Sequence, residues 1–173
     1  MNLYFLRHGA SEPPSRWKGS DRERPLTDAG ENEVTSVGRA IRGLGIEFDA
    51  VFSSPFVRTM ATAERVVAEQ AAAVDVTTCD GLVVYGDGAA VIRDVNADGK
   101  PPACVLLVGH EPILCEIVSM LVSGTIEGSF RIVPGALGRL STKELRWGQC
   151  ATLDWILEPD HLRELAEQAS GGE

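Results

Sequence analysis

The stretch CVLLVGHEP, residues 104–112, decides how the rest of the chain is read. Cys104 to Val108 is an unbroken apolar run, without the alternation of a strand that has one face in water. Such a run reads as a strand covered on both faces, which is the habit of parallel sheets flanked by helices. Gly109 and His110 follow it at once, and the Glu111–Pro112 step opens a helical pattern that runs to Val122. The N-terminus, MNLYFLRHGASE, starts the same way: an apolar run at Leu3–Leu6, then Arg7, His8 and Gly9.

Further apolar runs with strand character lie at Ala50–Phe52, Val74–Thr77, Ala136–Leu140 and Ala151–Leu157. Between them, helical spacing appears at Thr27–Leu44 and Pro55–Ala73, and more weakly at Tyr85–Asn96 and Asp160–Ala169. Thr27 reads as a helix cap, and Ser54–Pro55 as a cap with a first helical position. The order strand, helix, strand, helix predicts an α/β fold: a single three-layer α/β/α domain over residues 1–173, with a mostly parallel sheet flanked by helices. The last two strands are close enough in sequence to pair antiparallel at or near an edge. Ser170–Glu173 reads as a frayed end.

With 173 residues, 44% of them hydrophobic and 24% charged, the chain has enough material for a real core. No apolar run approaches the roughly 20 residues of a membrane-spanning helix. The Met1–Leu6 run is too short for a secretory signal core, so a cytoplasmic protein is expected. Cys79, Cys104, Cys115 and Cys150 are scattered without a CxxC pair, and are expected to be reduced and partly buried rather than metal ligands. A formal net charge of −9 argues against nucleic acid or an anionic membrane as the main partner. It leaves room for a small anion, because charges beyond about 8–10 Å are screened and a local pair of arginines still makes a positive pocket.

In open sheets of this type ligands bind beyond the carboxyl ends of the strands. The residues expected there are Arg7–His8–Gly9, Ser53–Ser54–Pro55 and Gly109–His110–Glu111–Pro112, with Arg58 near the first turn of the helix that follows Ser54. The remaining histidine, His161, reads as a surface residue of the last helix. Two arginines and two histidines around one cavity suit a dianionic phosphoryl group. Guanidinium is always charged and forks onto two oxygens, and imidazole is a nucleophile or a donor according to its proton. No HExxH and no cluster at ligand spacing points to a metal.

LRHGAS at 6–11, RPLTDAG at 24–30, SSPFVRTMATAE at 53–64 and VGHEP at 108–112 together resemble the signatures of the histidine phosphatase superfamily, the phosphoglycerate-mutase-like proteins. The short length, the compact segment between Arg58 and His110 and the LDWILEP ending resemble the small bacterial phosphohistidine phosphatases. The resemblance implies a two-step phosphoryl transfer without a cofactor. In it His8 is the nucleophile, Arg7 and Arg58 hold the phosphoryl oxygens, and His110 donates to them. It also offers Arg24 as a third phosphate contact, with Arg22 and Lys18 as rivals and a plain solvated loop as the other reading. The implied substrate is a phosphohistidine in a protein. A small phosphomonoester is the first alternative, and a non-catalytic phosphate- or phosphopeptide-binding module the second.

The sequence departs from the family pattern at three places. Ester-cleaving members carry a glutamate, which protonates the leaving oxygen, where this chain has Gly81. Asp80 and Asp87 are the nearest acids. Glu111 stands where relatives often have asparagine; its carboxylate either raises the pKa of His110 or caps the following helix. The segment WKGSDRERPLTDAG resembles the loop of the mutase and small-molecule phosphatase branches, which keeps a small phosphoester open as substrate.

Overall fold

The computed structural model describes residues 1–97, 99 and 101–170, so most of the expected frayed end, 171–173, lies outside the described residues. Among the described residues there are six strands: β1 (Asn2–Arg7), β2 (Ala50–Ser53), β3 (Val76–Thr78), β4 (Cys104–Gly109), β5 (Leu137–Thr142) and β6 (Ala151–Leu157). Five α-helices connect and cover them: α1 (Asp28–Gly43), α2 (Val57–Ala68), α3 (Gly88–Val95), α4 (Ile113–Ser123) and α5 (Pro159–Ser170). The strands form one sheet in the order β3-β2-β4-β1-β5-β6. The first four run parallel, β5 is antiparallel to β1, and β6 pairs antiparallel with β5 at the edge.

Successive residues of the central strands point to opposite faces, and both faces are dry. Leu3 and Phe5 of β1, with Val105 and Leu107 of β4, pack on Val91 and Ile92 of α3 and on Leu114, Ile117 and Leu121 of α4. Tyr4, Leu6, Leu106 and Val108 pack on Val34, Val37 and Ile41 of α1, Ala63 and Val66 of α2, and Leu162 of α5. This is the three-layer arrangement, and it explains why Cys104–Val108 shows no polar alternation. Each such side chain contributes about 1.5–3 kcal/mol on burial.

The helix bounds move where packing overrides local pattern. Thr27 caps α1 as expected, its hydroxyl accepting from the Gly30 N–H at 3.0 Å. Helix α2 starts at Val57 rather than Pro55, because Ser54 closes a turn first, its Oγ accepting from the Phe56 N–H at 3.4 Å. It stops at Ala68 rather than Ala73, since Ala71, Ala72 and Ala73 are exposed and alanine propensity without a buried face does not sustain a helix end. Strand β3 lies slightly later than expected, and α3 begins at Gly88 with Asp87 as its cap. The order β2-β4-β1 sets the ends of three strands side by side, and the site is built there.

Candidate active site

Strand β1 delivers Arg7 and His8 to the carboxyl ends of the parallel strands, and three separate elements fix the turn that follows. The His8 N–H donates to the carbonyl of Gly109, the last residue of β4, at 3.1 Å. The Gly135 N–H donates to the carbonyls of both Arg7 and His8, and the Gly9 N–H donates to Thr62 Oγ1 of α2 at 3.2 Å. Gly9 is required by close approach: a Cβ there would lie 2.5 Å from Val34 Cγ2 of α1. Gly30, at the start of α1, meets the same turn from the other side, where a Cβ would collide with the Ala10 carbonyl. The Thr27 N–H donates to that carbonyl at 3.0 Å. The RHG and PLTDAG segments are thus two halves of one backbone contact.

His8 is 7% exposed. Its Nδ1 lies 2.8 Å from the Gly9 carbonyl oxygen, which only accepts, so Nδ1 carries the ring proton. Nε2 therefore presents a lone pair, which accepts from Arg58 Nε at 3.2 Å. Burial pulls the His8 pKa down to about 4; the Gly9 hydrogen bond opposes this, and the charges of Arg58, Arg7 and Arg24 add to it. The ring is neutral at pH 7.

Arg58, in the first turn of α2 and only 2% exposed, is the hub of the site. Beyond His8, its Nη1 donates to the Asp21 carbonyl at 2.6 Å, and its Nη2 to Asp21 Oδ2 at 2.9 Å. Nη2 also lies 3.3 Å from His110 Nδ1. Since guanidinium only donates, Nδ1 of His110 is the acceptor and its Nε2–H donates to Ser54 Oγ, 2.9 Å away. Burial, then the His8 ring and Arg58, lower the His110 pKa to about 3. The His8 and His110 rings meet edge to face with centroids 5.1 Å apart, and Phe56 packs on His110 at 4.9 Å.

Glu111 does neither of the things expected of it. Its carboxylate turns away from His110 and clamps Arg7, whose Nη1 donates to Glu111 Oε2 at 2.8 Å and to the Ile132 carbonyl at 2.7 Å. Oε1 accepts from the Ile132 N–H at 2.8 Å and from the Cys115 thiol at 3.2 Å. Burial and this carboxylate push the Cys115 pKa up to about 12. Arg7 Nε is buried without a hydrogen-bond partner, a donor left open for an anion. Replacing Glu111 by Gln removes the charge that holds Nη1. The expected result is a loss of about tenfold in kcat/KM, mostly through KM, measured by steady-state kinetics.

Arg24, expected at the phosphate, has committed donors: Nε to Asp21 Oδ1 at 2.8 Å, and Nη1 to Ser11 Oγ and the Glu12 carbonyl, each at 2.7 Å. It braces the loop beside the site, and its rivals Arg22 and Lys18 are exposed. Asp87 is committed to α3, accepting from the Ala90 N–H at 3.1 Å and facing Arg93 at 3.5 Å, and Asp80 is exposed. Gly81 has no space for a side chain, as a Cβ would lie 2.7 Å from Val91 Cγ2 and 2.8 Å from the Asp87 carbonyl. The acid that sequence reading missed is Asp21, which bridges Arg58 and Arg24. Among the described residues no group of three or more His, Cys, Asp or Glu side chains is placed to hold a metal ion.

The structure therefore gathers His8, Arg58 and His110 into one hydrogen-bonded chain, with Arg7 clamped beside it. Residues 3–83 match the family model of the histidine phosphatase superfamily (branch 1). An uncharacterised protein of Picosynechococcus sp. is 31% identical over 125 residues, covering 72% of this chain and 74% of that one. The phosphohistidine phosphatase SixA of Escherichia coli is 26% identical over 171 residues, 94% of this chain and 97% of its own. A solved structure of the protein histidine phosphatase SixA with tungstate superposes with a TM-score of 0.79 at 25% identity, covering 94% of this chain and 99% of that one.

Proposed function

Because the chain belongs to the histidine phosphatase superfamily, we propose that it dephosphorylates a phosphohistidine in a protein through a phosphohistidine intermediate on its own His8. The observation that carries this is the locked tautomer: the Gly9 carbonyl holds the Nδ1 proton, so Nε2 faces the Arg58 guanidinium unprotonated, with its lone pair as acceptor. A module that only bound phosphate would have no use for that lone pair.

In the first step His8 Nε2 attacks phosphorus in line. The P–N bond of the substrate breaks, and its electron pair returns to the departing imidazole. Arg58 shifts its donors from Nε2 and Asp21 to the phosphoryl oxygens, and Arg7 offers its open Nε. The dianion favours a proton on His110 Nδ1, which then donates to the same oxygens. In the second step water attacks phosphorus and Nε2 leaves, releasing orthophosphate. The protein contributes position and positive charge, which is most of what phosphoryl transfer needs.

A phosphohistidine substrate fits the missing glutamate. An alkoxide benefits from a general acid by a factor of about 10² to 10⁴, and the packed glycine at position 81 supplies none. A P–N bond releases a neutral ring instead. The same reading makes residues 1–173 one working unit, independent of metal and acting in the cytoplasm. Among the described residues no helix is long and apolar enough to cross a membrane.

The test is a rapid quench with radiolabelled donors, a phosphohistidine protein set against a panel of small phosphoesters. An acid-labile, base-stable label mapped to the peptide containing His8 is expected, formed fastest from the phosphohistidine donor. Faster labelling by an ester would move the substrate to a small metabolite. No label and no turnover, despite oxyanion binding, would leave a binding module.

A further inference from the structure

Asp21 is a charged side chain bonded to Arg58 that the mechanism above leaves without a task. It opens a short 3-10 turn, Asp21–Glu23, built by its own contacts. The Ser20 hydroxyl donates to Glu23 Oε2 at 2.9 Å, and Trp17 Nε1 donates to the Ser20 carbonyl at 2.9 Å. The Asp21 carboxylate divides its oxygens between two arginines, Oδ2 to Arg58 Nη2 at 2.9 Å and Oδ1 to Arg24 Nε at 2.8 Å. Its side chain remains 52% exposed while Arg58 is buried, so it stands on the solvent side of the buried guanidinium. Arg58 reaches His8 Nε2 with Nε and Asp21 with Nη2, which puts the carboxylate one guanidinium away from the nucleophilic nitrogen.

A carboxylate held between two guanidiniums stays ionised. Burial favours its neutral form, but the hydrogen bonds and charges of Arg24 and Arg58 outweigh this and hold its pKa below the ordinary aspartate value. It is therefore a poor proton donor for an alkoxide, and a competitor of any phosphoryl anion, ester or phosphohistidine, for Arg58. Toward a protonated imidazole it acts in the opposite sense, as a charged acceptor for an N–H. A phosphohistidine ring is bonded to phosphorus through one nitrogen and takes a proton on the other. When His8 Nε2 bonds to phosphorus, the P–N electron pair returns to the ring, the proton stays on the distal nitrogen, and neutral imidazole departs. No further proton is required.

We propose that Asp21 sets the substrate class, accepting a hydrogen bond from the distal N–H of the protonated leaving ring and so favouring N-phosphorylated imidazole over phosphate esters. The proposal rests on His8 acting on phosphohistidine. It is tested on the full chain by measuring kcat/KM for a phosphohistidine peptide and for p-nitrophenyl phosphate, whose leaving group needs no proton, in the wild type, Asp21→Asn and Asp21→Glu. In Asp21→Asn the peptide reaction is expected to slow about tenfold or more while the ester reaction speeds up. Asp21→Glu is expected to restore much of the peptide preference. If both reactions move in the same direction, Asp21 is only a brace for Arg58 and the proposal fails; if neither moves, it fails as well. A wild type that cleaves the ester but not the peptide overturns the substrate reading itself, and that is seen before any variant is made. Thermal unfolding of each variant separates loss of fold from loss of selectivity.

Discussion

The His8→Ala variant is expected to turn over substrate about 10⁴-fold more slowly, or worse, while binding orthophosphate about as tightly as the wild type. The two halves of this expectation come from different atoms. Turnover needs the Nε2 lone pair, and no neighbouring group replaces it. His110 is neutral but held in its own place, its Nδ1 accepting from Arg58 Nη2 and its Nε2–H donating to Ser54, and both bonds remain in the variant. Binding needs the cations, and these stay. Arg58 keeps its place in α2, Arg7 keeps its clamp on Glu111, and the Arg58 Nε–H that served His8 becomes free for a phosphoryl oxygen. Steady-state kinetics beside calorimetric titration with orthophosphate would separate the two. Turnover within tenfold of the wild type would mean direct attack by water. Loss of phosphate binding would mean that His8 holds the cations in place.

Stability is expected to fall steeply as the pH drops from about 6.5 towards 4. Both buried histidines have depressed pKa values, about 4 for His8 and about 3 for His110, against an ordinary 6.5. The native state therefore refuses protons that the unfolded chain accepts below pH 6.5. Above that pH both states hold neutral rings and the histidines carry no penalty. On the way down each ring costs up to about 3 kcal/mol, less for the pair than twice the single value because the rings feel each other. Asp21 acts in the same direction at lower pH: its pKa is depressed, so the stability it contributes is present above the ordinary aspartate value and lost as the pH falls through the native one. Urea unfolding between pH 7.5 and 4.5 would show a falling midpoint, and a flat profile from pH 7 to pH 5 would contradict the neutral, buried pair.

The central strands were legible because both of their faces are dry, which writes an unbroken apolar run into the sequence. Helix ends were less so, since Ala71–Ala73 look helical until their exposure is known. His8 and His110 were visible because each directly follows a buried strand, and Arg58 because it begins a helix at the same end of the strands. Their partners were not. Asp21 meets Arg58 across 37 residues of sequence, and among Arg22, Glu23 and Arg24 it reads as one more surface charge. Glu111 was weighed only against His110 and the next helix, its neighbours in sequence, whereas the contact it makes is to Arg7 at the end of another strand. Arg24 has the right charge near the right place, but Ser11, Glu12 and Asp21 already hold it. Which donors are already committed is a property of the fold.

The order β2-β4-β1, which is not the order of these strands along the chain, makes neighbours of side chains that sequence keeps far apart. The reacting atoms are referenced to the sheet, while the connections between strands pass over its surface. A connection such as that from Glu69 to Asp75, or the turn around the exposed Tyr85, is therefore free to lengthen without displacing His8, Arg58 or His110. His8 and His110 are held at strand ends and Arg58 by α2, while access to them is shaped by the loops, so an insertion in a loop is expected to alter what enters without moving those three side chains.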